Sequence, residues 1–277
     1  MLLGLFQLAV QPRARAQTLA QTYELAEAFY ERGDYANAAQ TYRRVLFFDE
    51  RAEFGPRSYQ NIADCLYQLG QYSESAGYYD RAYYVATNDS LRAELLFQKA
   101  SCYLLTQQYR YAQVEMLNLP DSLPPNQARK RDFYEGILYF SLEEYDQAKA
   151  HFLALAPDSA GKAEVNSLFL ENEKISQLSP RKARRMSMFL PGLGQFYAGD
   201  VKNGFNSLLL NSGLLYLGVR MLLAGSSGFD ALFTILPWFQ RYYTGGFKKA
   251  EIIAGEKKQK RRNELYNKLL DTIPNAD

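Results

Sequence analysis

The sequence predicts an all-α protein: a solenoid of helical hairpins, followed by an apolar helical hairpin and a basic amphipathic helix. Three observations predict it. A ten-residue pattern recurs four times at near-constant spacing through the first half. A stretch from Gly204 to Gly225 then carries a single charge, Arg220. The last segment, "KKAEIIAGEKKQKRRNELYNKLL" (248–270), puts Ile252, Ile253, Leu265 and Leu269 within reach of one helix side and is rich in Lys and Arg elsewhere.

The repeated pattern reads "GDYANAAQTY" (33–42), "GQYSESAGYY" (70–79), "QQYRYAQVEM" (107–116) and "EEYDQAKAHF" (143–152). Tyr35, Tyr72, Tyr109 and Tyr145 recur at intervals of 37, 37 and 36 residues. Three places on stands a small residue, Ala38, Ser75, Ala112 or Ala148, and four further a bulky one, Tyr42, Tyr79, Met116 or Phe152. That spacing sets both on one helix face, where the small residue lets a neighbouring helix approach. Upstream of each lies a partner helix carrying Ala26 and Phe29, Ala63 and Leu66, Ala100 and Tyr103, or Gly136 and Tyr139. The unit is a helical hairpin.

Over residues 19–156 this pattern resembles the tetratricopeptide repeat, with the additional residues of each period in loops such as "DERAEFGP" and "LPDSLPPNQ". Pro120, Pro124 and Pro125 punctuate the array between the third and fourth copies. The resemblance implies a concave surface lined by the first helix of each hairpin and used to bind a protein or peptide. Its lining positions would be Tyr23, Tyr30, Gln60, Asp64, Tyr67, Phe97, Ser101, Phe133 and Phe140. Relatives that grip a C-terminal carboxylate use Lys and Asn there. Only Asn61 matches, with Tyr23, Glu94 and Gln98 at the other places, so that ligand is not expected. Aromatics at helical spacing are equally read as core. A further amphipathic helix within 161–178, carrying Val165, Leu168, Leu170 and Ile175, is expected to cap the array or to fold into the groove.

Composition argues against catalysis. His151 is the only histidine, which removes most zinc sites and His-based triads, and no nucleotide-binding or metal-ligand constellation is visible. No cofactor and no metal are expected. Cys65 and Cys102 hold the same place in consecutive repeats and are read as small packing residues, not as a disulfide.

Charge divides the chain. Residues 1–177 carry a net −6 and residues 178–277 a net +8. A basic segment that is also apolar points to anionic lipid before nucleic acid, for which no reading motif is present. The expected headgroup contacts are Arg181, Lys182, Arg184 and Arg185, then Lys257, Lys258, Lys260, Arg261 and Arg262. A solvated helix face is the plainer reading of the second run.

At the other end, "MLLGLFQLAVQPRARAQ" has the apolar run and A-x-A pattern of an export signal ending at residue 16, without a basic leader; a frayed apolar tail is the alternative. The expected divisions are therefore 1–16 signal, 17–158 repeats, 159–180 capping helix and linker, 181–247 membrane-associated hairpin and 248–277 basic tail.

Between basic run and apolar stretch lies "FLPGLGQFYAGD" (189–200). Its glycine spacing is wrong for a phosphate loop and no strand precedes it. Residues 183–247 resemble bacterial two-helix membrane tails carrying P-G-x-G-Q-x-Y, matched here by Pro191, Gly192, Gly194, Gln195 and Tyr197. The resemblance implies location, not chemistry. The segment is expected to be an elbow leading into the membrane, with Phe189, Leu190, Phe196 and Tyr197 entering the interface. Residues 203–225 are the best spanning candidate, and 229–247 a shorter limb interrupted by Pro237. Basic runs at both ends of the hairpin place those ends in the cytoplasm, whereas a cleaved signal places the repeats outside. Either the N-terminal run is an uncleaved anchor, or the hairpin inserts shallowly from the periplasmic side; the expectation is the latter, an exported protein of a bacterial envelope.

The function expected is a membrane-associated adaptor binding a protein partner. The alternative is an envelope structural component whose groove holds its own helices; an enzyme is the weakest reading.

Overall fold

The computed structural model describes residues 17–225 and 227–273. The segment expected as an export signal lies outside the described residues. The described residues form helices joined by turns, bends and short loops, in two compact units, one ending at His151 and the other beginning at Phe152.

The first unit is a run of hairpins: α1 (Leu19–Glu31) with α2 (Tyr35–Phe48), α3 (Gly55–Gln68) with α4 (Tyr72–Val85), α5 (Asp89–Leu105) with α6 (Tyr109–Leu117), and α7 (Pro125–Ser141) leading into α8 (Tyr145–Leu155). Each helix from α1 to α6 packs on the next. The consecutive hairpins form an all-α, tetratricopeptide-like solenoid.

Helix starts follow from local chemistry. Thr18 and Gln21 form a reciprocal capping box, and Asp34 and Asn88 accept from backbone amides three residues on. The small and bulky positions do what their spacing dictates. Ala38, Ser75, Ala112 and Ala148 are buried, and so are Tyr42, Tyr79, Met116 and Phe152. Ser75 Oγ donates to the Ala63 carbonyl of the partner helix at 2.8 Å, so the small residue marks the close approach. Cys65 and Cys102 are buried free thiols, and burial pushes Cys65 up to about 12 and Cys102 up to about 11.

The turn within each hairpin needs one left-handed residue. Gly33 and Gly70 supply it at φ 75° and 73°, while the third and fourth turns use Gln107 (φ 58°) and Glu143 (φ 64°).

The second unit holds α9 (Ser159–Ser176), α10 (Pro180–Phe189), the single-turn α11 (Leu193–Tyr197), α12 (Val201–Leu223) and α13 (Gly228–Thr272). The expected capping helix, α9, packs on α13, and its Phe169 meets Phe152 at 6.2 Å between ring centroids. The basic run 181–185 is helical, within α10. The second apolar limb and the basic tail are one 45-residue helix, not two elements. Pro237 forfeits a helical hydrogen bond, but α13 continues through it and through Gly245 and Gly246. Gly246 serves a close approach rather than a break: a Cβ there would lie 2.8 Å from Ser207 Oγ of α12.

Candidate functional site

Helices α1, α3, α5 and α7 carry the repeat face. Side chains about one repeat apart bond to each other along it. Asn61 Nδ2 donates to the Tyr23 hydroxyl at 3.3 Å, the Tyr67 and Ser101 hydroxyls lie 2.9 Å apart, and Gln127 Nε2 donates to the Ser90 carbonyl at 2.9 Å. Lys130 pairs with Glu94 and sits over the Phe97 ring.

Three expected groove residues are core instead. Tyr23 packs against Tyr42 and Phe54, with ring centroids 5.5 and 5.0 Å away. Phe97 is fully buried against Tyr134, and Phe140 is buried against Tyr145. Their faces pack between neighbouring helices, where aromatic area stabilises most. Tyr30, Gln60, Asp64, Tyr67, Ser101 and Phe133 remain half-buried and within reach of a ligand.

Asp64 is the carboxylate among these, and its pKa is shifted. Burial raises its carboxyl above the ordinary aspartate range, the Tyr79 hydroxyl donated to it at 2.6 Å opposes the shift, and Glu94 adds to it. Such a group favours a partner that brings a donor or a cation.

On α7 and α8, Asp132, Glu135 and His151 bring three ligand atoms within 4.8 Å of one another, a grouping not legible from sequence spacing. His151 Nδ1 is 3.0 Å from Asp132 and 3.5 Å from Glu135, with its ring stacked on Tyr139. These residues could hold a divalent cation; an imidazole–carboxylate hydrogen-bonded cluster accounts for the same distances.

In the second unit the P-G-x-G-Q-x-Y residues form a packed junction, not an exposed elbow. Gln195 is 1% exposed. Its Oε1 accepts from Ser187 Oγ at 2.8 Å, and its Nε2 donates to the Gly246 carbonyl at 2.9 Å. Ser187 Oγ accepts in turn from the Gly194 amide at 2.9 Å. The glycines are required by contact. A Cβ on Gly194 would lie 1.9 Å from the Ala183 carbonyl oxygen, and one on Gly192, at φ 96°, 2.4 Å from that of Gly204. Half-buried Pro191 leads into this turn. Tyr197 bridges α9 and α10, donating to the Gln177 carbonyl and accepting from the Ser179 amide. Of the four aromatic and aliphatic residues expected at an interface, Phe189 and Leu190 are exposed, whereas Phe196 packs on Phe205 and Tyr197 sits under Lys182.

The basic residues divide similarly. Arg184 pairs with Glu251 and covers Phe247; Lys257 donates to the Ala198 carbonyl at the end of α11, and Lys258 to that of Ser176 at the end of α9. Arg262 is half-buried. Arg181, Arg185, Lys260 and Arg261 are exposed, as is Lys182 beside its ring contact.

Beyond the junction, α12 and the first half of α13 bury little. Leu209, Leu215, Leu217, Leu222, Phe233 and Trp238 are all about half exposed or more. No helix among the described residues is long and apolar enough to cross a membrane. The spanning expectation for 203–225 fails on that measure because Asn203, Asn206, Ser207, Asn211, Ser212 and Arg220 dilute α12.

A family model described as tetratricopeptide repeat matches residues 56–89, the α3/α4 hairpin. That hairpin is a tetratricopeptide repeat. The neighbouring hairpins share its period, its small-and-bulky face and its turn geometry. Tetratricopeptide repeats are protein-interaction modules, which supports a protein partner in general. No curated protein matches the chain.

Proposed function

We propose that the protein is a membrane-associated tetratricopeptide scaffold, non-catalytic, in which the repeat face binds a protein or peptide partner and the α12/α13 hairpin holds the chain at a lipid surface. One observation carries the membrane part: a two-helix projection exposing large apolar side chains on both helices, more than a water-facing surface ordinarily tolerates. Trp238 stacked near Tyr242 suits a headgroup boundary. Shallow insertion fits the polar side chains of α12. The place is a bacterial envelope, on the periplasmic face.

The second reading is an envelope structural component without an exchangeable ligand. It is favoured by the bonds that repeat-face residues make to each other, Tyr67 with Ser101 and Glu94 with Lys130.

Carbonate extraction with protease protection tests location; a freely soluble cytoplasmic product contradicts the proposal. A photo-crosslinking residue at Gln60 separates the two readings. Crosslinks to a second polypeptide that Tyr67→Ala abolishes support the scaffold, and crosslinks confined to the chain itself support the structural component.

A further inference from the structure

We propose that the α12/α13 crevice is a phospholipid site, with the headgroup at the junction and an acyl chain along the hairpin. The inference rests on the membrane reading above and names its ligand.

The crevice has two chemically distinct parts along the same two helices. Near the junction is a cavity of about 450 Å³ lined by Asn203, Asn206, Ser207, Asn211, Arg241 and Lys249. Farther along is an apolar groove of about 330 Å³, with Leu214, Gly218 and Leu222 on one side and Ala231, Ile235 and Phe239 on the other. Asn211 to Leu222 covers about 16 Å of helix at about 1.5 Å per residue, a length suited to an extended acyl chain.

The polar end asks for a particular group. Asn211 is 3% exposed; its Nδ2 donates to the Ser207 carbonyl at 2.7 Å, which fixes the amide orientation. Its Oδ1 and the neighbouring Ser207 Oγ are buried and have no hydrogen-bond partner among the described residues. An amide oxygen only accepts, so the occupant brings an N–H or O–H donor. Arg241 and Lys249 line the same cavity, are exposed and form no ion pair among the described residues, which suits an occupant that also carries negative charge. Asp200 is an acid close enough to feel Lys249, and it is engaged by Asn203. A phosphate diester bearing a hydroxyl or ammonium donor and an acyl chain satisfies all three demands. A glycerophospholipid headgroup is that chemistry.

The test is flotation of the full chain with vesicles of phosphatidylcholine alone and with added phosphatidylglycerol, and calorimetric titration with soluble glycerol 3-phosphate. Wild type is expected to prefer phosphatidylglycerol vesicles, and Arg241→Gln with Lys249→Gln to weaken that binding about twenty-five-fold, at about fivefold per cation, leaving neutral-vesicle binding unchanged. Asn211→Leu, which removes an unpartnered buried acceptor and so does not lower the melting temperature, is expected to weaken it about fivefold. Unchanged binding by a folded Asn211→Leu variant means surface charge alone and overturns the site. Glycerol 3-phosphate binding as tightly as the vesicles assigns the cavity to a free phosphate and overturns the lipid assignment. Equal wild-type binding to both vesicles overturns the site while the membrane reading stands; binding to neither overturns both.

Discussion

The side-chain amide of Gln195 donates to the Gly246 carbonyl at 2.9 Å, joining residues 51 apart in sequence across the centre of the second unit. With Ser187 on its other end, this one side chain links α10, α11 and α13. Gln195→Ala takes the second partner from the Gly246 carbonyl, leaves the Ser187 hydroxyl without its acceptor and opens space in a buried junction. The second unit is expected to lose about 3 kcal/mol, read by hydrogen exchange of α10 and α13, with the repeats unaffected.

Gly194→Ala is expected to be worse. Its Cβ would meet the Ala183 backbone oxygen at 1.9 Å, and backbone cannot swing aside as a side chain can. A cost on the order of 4 kcal/mol should appear in urea titration as early loss of the second unit.

Gln107→Gly should stabilise. Gln107 holds the left-handed turn position that Gly33 and Gly70 fill in the first two hairpins. Relief of that conformation is worth about 1 kcal/mol, visible as a higher melting temperature, whereas Gly70→Ala should lower it.

Asp64→Asn tests the groove carboxylate. Its pKa is raised in the folded chain, so the folded state holds the proton more tightly, and this group's contribution to stability is largest below its ordinary value of 3.8. That contribution falls as pH rises from 3.8 through the raised folded value. The amide oxygen introduced by the substitution still accepts from Tyr79, and with no proton to lose it abolishes the fall. The stability gap between variant and wild type should therefore widen in favour of the variant as denaturation is measured at pH 4 and then pH 7.

Much of the repeat unit was legible because its determinants are local and periodic. Tyr35, Ala38 and Tyr42 lie on one helix face, and the same triplet returns in each copy. What periodicity could not separate was core from groove. Phe97 and Tyr67 have similar helical spacing and both meet the next hairpin, but Phe97 is fully buried against Tyr134 while Tyr67 stays half-buried with its hydroxyl on Ser101. The junction was misread for a different reason. Glycine near an apolar stretch signals a turn, and the motif does turn, but Gly194 and Gly246 are also demanded by close contacts with other segments. The expected division at 247 between hairpin and basic tail likewise falls inside a helix that runs to Thr272. The cavity beside Asn211 lies between α12 and α13, and no spacing rule announces which residues two packed helices bring together.

The central claim is that the α12/α13 hairpin seats in lipid, and the chain carries its own probe. Trp238 is the only tryptophan, and it lies about half exposed on α13 within the apolar projection. Its fluorescence should be measured on addition of vesicles containing brominated lipids. A hairpin seated in lipid predicts a blue shift, quenching by the brominated chains and loss of quenching by aqueous iodide. Emission that stays unshifted and open to iodide would contradict it.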